Sequence, residues 1–304
     1  MRYTAVACRQ PSTHQHTKRT DRRLDEHAIR VPGMESMPLT LCISTRNAAP
    51  VLAGCIDSVR DWVREIVIVD MESSDSTLEI ARSYGATIVQ VPAAGWAEPG
   101  RQSGIDAATQ PWILVLDADE RAAPGLQALV ADYVRRDDVA GVQLPRQNFQ
   151  FGWWVPGSGL WPDWQLRLFR GAQTTWPGLR THEGPTVDGR VEHAPALAEN
   201  AIVHHSVKSV SEWMTSANRY TELEAERLIK SGHRASLPRL VAVPLARFAQ
   251  EYVVKRGYRG GRYGLSVALL SLCYWLLAEL KVLQRQMTAE RPTRDAVAEP
   301  RITS

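Results

Sequence analysis

The chain has 304 residues, 44% hydrophobic and 23% charged, with a formal net charge of +3. That composition suits a globular protein with a real core, and the near balance of charge makes no case for a nucleic-acid partner. The 4 cysteines, Cys8, Cys42, Cys55 and Cys273, form no CxxC pair, so they read as reduced thiols of a cytosolic protein rather than as disulfides or a zinc site.

Residues 1–36 are rich in Arg, His, Thr and Asp and carry no apolar targeting core. They read as a disordered basic arm or an over-extended start, with Met34 and Met37 as alternative beginnings. From Leu39 short apolar runs alternate with helical spacing. Leu39–Ile43 predicts a strand ending in Ser-Thr-Arg-Asn, and Val51–Trp62 a helix on Leu52, Ile56, Val59 and Val63. Glu65–Asp70 is a buried-strand run closed by a carboxylate. A helix over Ser76–Tyr84 follows, with Asp75 placed to cap it. Thr87–Val91 predicts a strand, Glu98–Ala108 a helix, and Pro111–Leu116 a strand running into Asp117-Ala118-Asp119-Glu120. Pro124–Arg135 predicts another helix and Val139–Leu144 another strand.

The second half differs. Trp153, Trp154, Trp161, Trp164 and Trp176 crowd a Gly- and Pro-containing stretch that predicts loops around irregular strands, Gln165–Phe169 among them. Val210–Lys230 predicts a helix, and a linker with Gly232 and Pro238 leads to a further helical region. Its uncharged run, Tyr263–Ala278, is shorter than the ~20 apolar residues that span a bilayer. Lys255, Arg256, Arg259 and Arg262 precede it, and Lys281 and Arg285 follow. Two readings stand: a helix lying against lipid headgroups, or one packed on the core or on a second subunit.

Apolar strands each followed by a helix imply an α/β fold with parallel strands covered on both faces. Ligands of such sheets bind at the carboxyl ends of the strands, where this chain sets Thr45, Asn47, Asp70, Asp117 and Asp119. In an extended segment Asp117 and Asp119 can face one cavity. Clustered carboxylates call for a positive partner, such as a divalent cation shared with substrate phosphates. Aspartates after a strand also serve simply as turn and capping residues.

The ordered set of Thr45-Arg46-Asn47, EIVIVDMESSDST at residues 65–77 and WILVLDADE at residues 112–120 resembles the family 2 inverting glycosyltransferases. WQLRLFRG at residues 164–171, His182-Glu183-Gly184, His204-His205-Ser206 and the tail segment RGYRGGRYGL extend the resemblance, most closely to the branch containing lipopolysaccharide-core glucosyltransferases.

The resemblance implies a GT-A nucleotide-diphospho-sugar transferase fold: a Rossmann-like, mostly parallel sheet over residues 37–208, a C-terminal helical appendage over 209–286, and a disordered tail from 287. It implies transfer of a hexose from a UDP-sugar to a saccharide or lipid-linked acceptor with inversion, assisted by Mn²⁺ or Mg²⁺. Thr45, Asn47, Asp70, Arg101 and Asp117 would meet the nucleotide sugar, and Asp119 the metal, with Asp117 and His204 as further ligands. Glu183 would act as the base, with Asp163 as its competitor. Gln102 stands where the family often has Asn. The expected location is the cytoplasmic face of the cell membrane, with peripheral contact through residues 240–285. A polyprenyl-phosphate glycosyltransferase is the alternative enzyme, and an inactive scaffold the alternative of another class.

Overall fold

The computed structural model describes residues 36–93, 98–154, 161–177, 184–207 and 209–289. In chain order the first half runs β1 (Met37–Thr45), α1 (Ala49–Asp57), β2 (Val63–Asp70), α2 (Thr77–Ser83), β3 (Thr87–Gln90), α3 (Glu98–Ala107) and β4 (Trp112–Asp117). Then come β5 (Glu120–Ala122), α4 (Leu126–Val134), β6 (Gly141–Gln150), β7 (Trp153–Trp154) and β8 (Asp163–Arg170). Short strands β9 (Thr174–Thr175), β10 (Thr186–Val187) and β11 (Val191–His193) lead to β12 (Ile202–Val207). The chain ends in α5 (Val210–Lys230), α6 (Leu237–Ala249) and α7 (Gly261–Ala289).

One large sheet has the order β3-β2-β1-β4-β8-β6-β12-β5, with β7 and β11 also pairing to β6. Its first four strands are parallel, as their continuous apolar runs predict. Beyond β4 the sheet turns mixed, because β8 runs antiparallel to both β4 and β6. Alternation along β1 and β4 sorts the core into two layers. Leu39, Leu41, Ile43, Leu114 and Leu116 pack with Leu52 and Ile56 of α1 and Leu126 and Val130 of α4. Cys42, Ile113 and Val115 join Val69, Ile105 and Phe169 on the opposite face. Each such fully buried side chain contributes about 1.5–3 kcal/mol, and together they make β1 and β4 a rigid base for whatever their carboxyl ends carry.

Helix α3 lies unusually close to the sheet. A Cβ on Gly104 would collide with Cys42 Sγ and come within 2.9 Å of Val69 Cγ2, and one on Gly100 would approach Val69 Cγ1 to 3.1 Å. Glycine at these positions lets Arg101, between them on the same helix, reach the strand ends. Helix α1 is shorter than the Val51–Trp62 spacing predicts, because the chain turns after Asp57 to enter β2 and buries Val59 and Trp62 from the turn.

Past the sheet, α5 follows Val210–Lys230 as its periodicity predicts, with Ser209 Oγ accepting from Glu212 N at its start. Pro238, expected in a linker, instead sits in the first turn of α6, where a missing N–H costs nothing. Helix α7 outruns the apolar stretch read from the sequence. The segment Gly257–Ala289, 33 residues with 28% of its most apolar stretch buried, is long and apolar enough to cross a membrane. Its second half is clamped to α5. Lys281 Nζ meets Glu222 at 2.9 Å and the Asn218 carbonyl at 2.6 Å, Arg285 pairs with Glu222 and Glu226, and buried Glu279 meets His233 Nε2 at 2.9 Å.

Candidate active site at the carboxyl edge of the sheet

Strand register brings distant carboxylates to one rim. Thr45 at the end of β1 stands beside Asp70 of β2, and Ser44 beside Asp117 of β4. Asp70 is fully buried; its Oδ2 accepts from Ser73 N at 3.2 Å. Its Oδ1, together with Ser44 Oγ and Thr45 Oγ1, is buried with no hydrogen-bond partner. Buried polar atoms left this way cost about 1–3 kcal/mol each and mark a place where a polar ligand would be satisfied. Asn47, at a left-handed φ of 52°, works differently. Its Oδ1 accepts from Ser74 N at 2.8 Å and its own N–H donates to Ser73 Oγ at 2.9 Å, tying the loop after β1 to the loop after β2. Asp75 adds to that seam by accepting from Thr77 N and Ala49 N, each at 3.1 Å.

The Asp117–Glu120 segment is held from all sides. Arg121 donates to the carbonyls of Ala118 (3.2 Å) and Glu120 (2.7 Å) and also to that of Val51 (2.8 Å), fastening the turn to α1. Arg101 meets Asp117 Oδ1 at 2.5 Å, and Arg167 meets Oδ2 at 2.7 Å. Burial alone would raise the Asp117 pKa, but the Arg167 and Arg101 guanidiniums hold it well below the usual carboxylate range. Arg101 stacks on Trp176 at 4.7 Å. Its Nε and one terminal nitrogen are buried with no hydrogen-bond partner. Gln102 accepts from Trp176 N at 2.7 Å, so the longer amide helps hold the tryptophan that covers Arg101.

Glu120 is fully buried and takes its place through Asp117 N (2.8 Å), Arg146 (3.1 Å) and Arg167 (3.6 Å). Arg146 also binds Asp163 at 2.7 Å, its direct partner across the β6–β8 pairing. Asp163 further accepts from Asn148 Nδ2 at 2.9 Å and Gln165 Nε2 at 2.8 Å. Its burial is outweighed by Arg146 and these amides, which lower its pKa. Its oxygens are thus committed to the protein. A proton acceptor needs a free lone pair within reach of the acceptor hydroxyl, which makes Asp163 the poorer candidate base.

His204 enters through β12, opposite Glu120 of β5 and beside Asn148 of β6. Its Nδ1 lies 2.7 Å from Asn148 Oδ1, and its Nε2 lies 3.5 Å from Asp119 Oδ2. Asp119 is half-exposed, whereas Asp117 and Glu120 are tied to guanidiniums. Among the described residues no group of three or more His, Cys, Asp or Glu gathers to cage a metal. One carboxylate and one imidazole nitrogen could hold a divalent ion whose remaining positions substrate phosphates and water would fill. With both Asp117 oxygens engaged by arginines, Asp119 and His204 form the available pair.

The structure therefore brings Thr45, Asp70, Arg101, Asp117, Asp119 and His204 to one edge, sets Asp163 behind them, and uses Asn47 in the loop seam. Glu183 lies outside the described residues. Sequence reasoning missed Glu120, Arg146, Asn148 and Arg167. A charged residue inside an apolar strand, such as Arg167 in Leu166–Phe169, was the signal that could have found one of them.

A family model described as Glycosyl transferase family 2 matches residues 40–186. The chain is 27% identical over 266 residues to the lipopolysaccharide core biosynthesis glycosyltransferase LpsC of Rhizobium meliloti, covering 85% of this chain and 97% of that protein. It is also 40% identical over 138 residues to a TPR repeat-containing protein of Synechococcus elongatus, covering 45% of this chain and 33% of that one. Among solved structures, the mannosyltransferase PcManGT from Pyrobaculum calidifontis, in complex with GDP-Man and Mn²⁺, aligns with a TM-score of 0.46 at 15% identity over 82% of this chain and 89% of that one. The family match, the ordered motifs and the strand-end carboxylates lead to one assignment: residues 40–186 are a family 2 glycosyltransferase domain with its GT-A fold.

Proposed function

We propose that this enzyme transfers a hexose from a UDP-sugar to a saccharide or glycolipid acceptor, with inversion and with the help of Mn²⁺ or Mg²⁺. The observation that carries the reading is the group of buried, unpartnered polar atoms at the ends of β1 and β2, on the same sheet edge as the Asp119–His204 pair. Asp70 Oδ1 would accept the N–H of a uracil ring, and Thr45 would complete the base pocket. Arg101 offers its two unpartnered buried nitrogens to a diphosphate. Asp119 and His204 would hold the cation, which supplies Lewis-acid stabilisation of the departing diphosphate. Asp117 would then serve mainly to position Arg101 and Arg167. Glu183 would take the proton of the attacking hydroxyl.

LpsC, named for lipopolysaccharide core biosynthesis, aligns over nearly its whole length, which supports a cell-envelope glycolipid acceptor and work at the cytoplasmic face of the membrane. The C-terminal helices support peripheral contact. Leu237, Val241 and Leu245 are exposed at four-residue spacing along α6, continued by Val253 and Val254, with exposed Lys255, Arg256, Arg259 and Arg262 alongside. Apolar groups rimmed by cations suit an anionic headgroup layer. The ion pairs that clamp the second half of α7 to α5 favour this surface mode over spanning.

A thermal-shift panel of UDP-, GDP- and dTDP-sugars, with and without Mn²⁺, tests the donor. The true donor gives the largest metal-dependent stabilisation, and no shift with any of them sinks the reading. Glu183→Gln separates the two acceptor chemistries. It abolishes turnover if a hydroxyl must be deprotonated, and substantial residual activity favours a polyprenyl-phosphate acceptor.

A further inference from the structure

Asp163 is held below the usual carboxylate range and can only accept hydrogen bonds. The Asn148 atom facing it at 2.9 Å must therefore be the amide nitrogen, which turns the amide oxygen toward His204. That oxygen is also only an acceptor, so the contact at 2.7 Å requires a proton on His204 Nδ1. A neutral imidazole with its proton on Nδ1 leaves the lone pair on Nε2, aimed at Asp119 Oδ2 across 3.5 Å. Two acceptors confronted in this way repel unless a metal cation or a second ring proton lies between them. Arg146 secures the far end by binding both Asp163 (2.7 Å) and Glu120 (3.1 Å).

We infer that Asp163 and Asn148 are positioning residues, a relay that fixes the His204 tautomer and points its bare Nε2 at the cation site. The inference deepens the metal-dependent reading above and rests on it for its purpose, but the tautomer itself is measurable without donor or metal. Ligating histidines elsewhere depend on such outer partners, whose loss lowers metal affinity by about 10–100-fold.

The test uses the full, metal-free chain labelled with ¹⁵N-histidine, at an alkaline pH where the ring is neutral. Long-range ¹⁵N–¹H spectra assign the His204 tautomer. The expected result is a protonated Nδ1 and a bare Nε2, and a ring protonated on Nε2 overturns the inference. Asn148→Leu is expected to raise the share of the Nε2-protonated form and to weaken Mn²⁺ binding in the presence of UDP about 10–100-fold by electron paramagnetic resonance titration. An unchanged tautomer in folded Asn148→Leu would also overturn it. If that variant does not fold, the parent spectrum still decides. A correct tautomer in a protein that binds no nucleotide sugar would refute the proposed function and leave the relay standing.

Discussion

Asp119 Oδ2 and His204 Nε2 face each other at 3.5 Å, although Asp119 sits in the turn between β4 and β5 and His204 on β12, 85 positions apart. The antiparallel pairing of β5 with β12 makes that meeting possible, since His204 lies directly across from Glu120. Replacing Asp119 with Ala removes the half-exposed carboxylate of this pair without opening a core cavity. Metal-dependent UDP release is expected to fall roughly 10²–10³-fold, the equivalent of several kcal/mol of charge stabilisation, with an unchanged thermal melt. Turnover equal to that of the parent removes Asp119 from the cation site.

The Asp117 pair with Arg101 and Arg167 has a pH signature. The Asp117 pKa is lowered in the folded protein, so its stabilisation is complete above the unfolded value of about 3.9. It is lost as pH falls through the lower, folded value. Asp117→Asn is expected to destabilise the protein at neutral pH by about 3 kcal/mol, the lower end for a broken buried pair because Asp117 is partly exposed. In urea melts that gap narrows as pH drops below about 4. Parallel acid limbs in parent and variant would contradict the assignment.

Gly104 tests the close approach of α3 to the sheet. An added methyl meets Cys42 Sγ and Val69 Cγ2 in a filled layer, so Gly104→Ala is expected to cost about 1–3 kcal/mol by overpacking. It should also weaken nucleotide binding by displacing Arg101. A variant with parental stability and affinity shows that the layer has room to give.

For the membrane surface, Arg256→Gln/Arg259→Gln is expected to reduce sedimentation with anionic vesicles roughly 30-fold, at about a factor of 5 for each cation lost near the headgroups. Raising salt should mimic the substitution. Unchanged sedimentation in both conditions assigns the exposed α6 stripe to contact with protein instead.

The parallel half of the sheet and the polar residues along its carboxyl edge were legible because apolar runs end in Thr45, Asp70 and Asp117. What surrounds Asp117 was not. Arg146 meets Asp163 only through the β6–β8 register, and the segment between those strands carries no periodicity from which a register could be counted. His204 was legible as a motif, whereas its contact with Asn148 depends on β12 returning beside β6, a long-range pairing that local pattern does not encode. Helix α7 runs on past the uncharged stretch Tyr263–Ala278, where Lys281 and Arg285 find ion-pair partners on α5, contacts that sequence spacing alone does not encode.

The interleaved arginines also bear on the order in which ligands arrive. Arg101, Arg146 and Arg167 neutralise Asp117, Glu120 and Asp163 one for one, leaving Asp119 as the acidic member of this cluster with no guanidinium beside it among the described residues. A single uncompensated charge and one imidazole grip a divalent ion weakly. On the proposed reading the ion would be captured as a complex with the nucleotide, each raising the affinity for the other, and an empty enzyme would sequester little metal between turnovers.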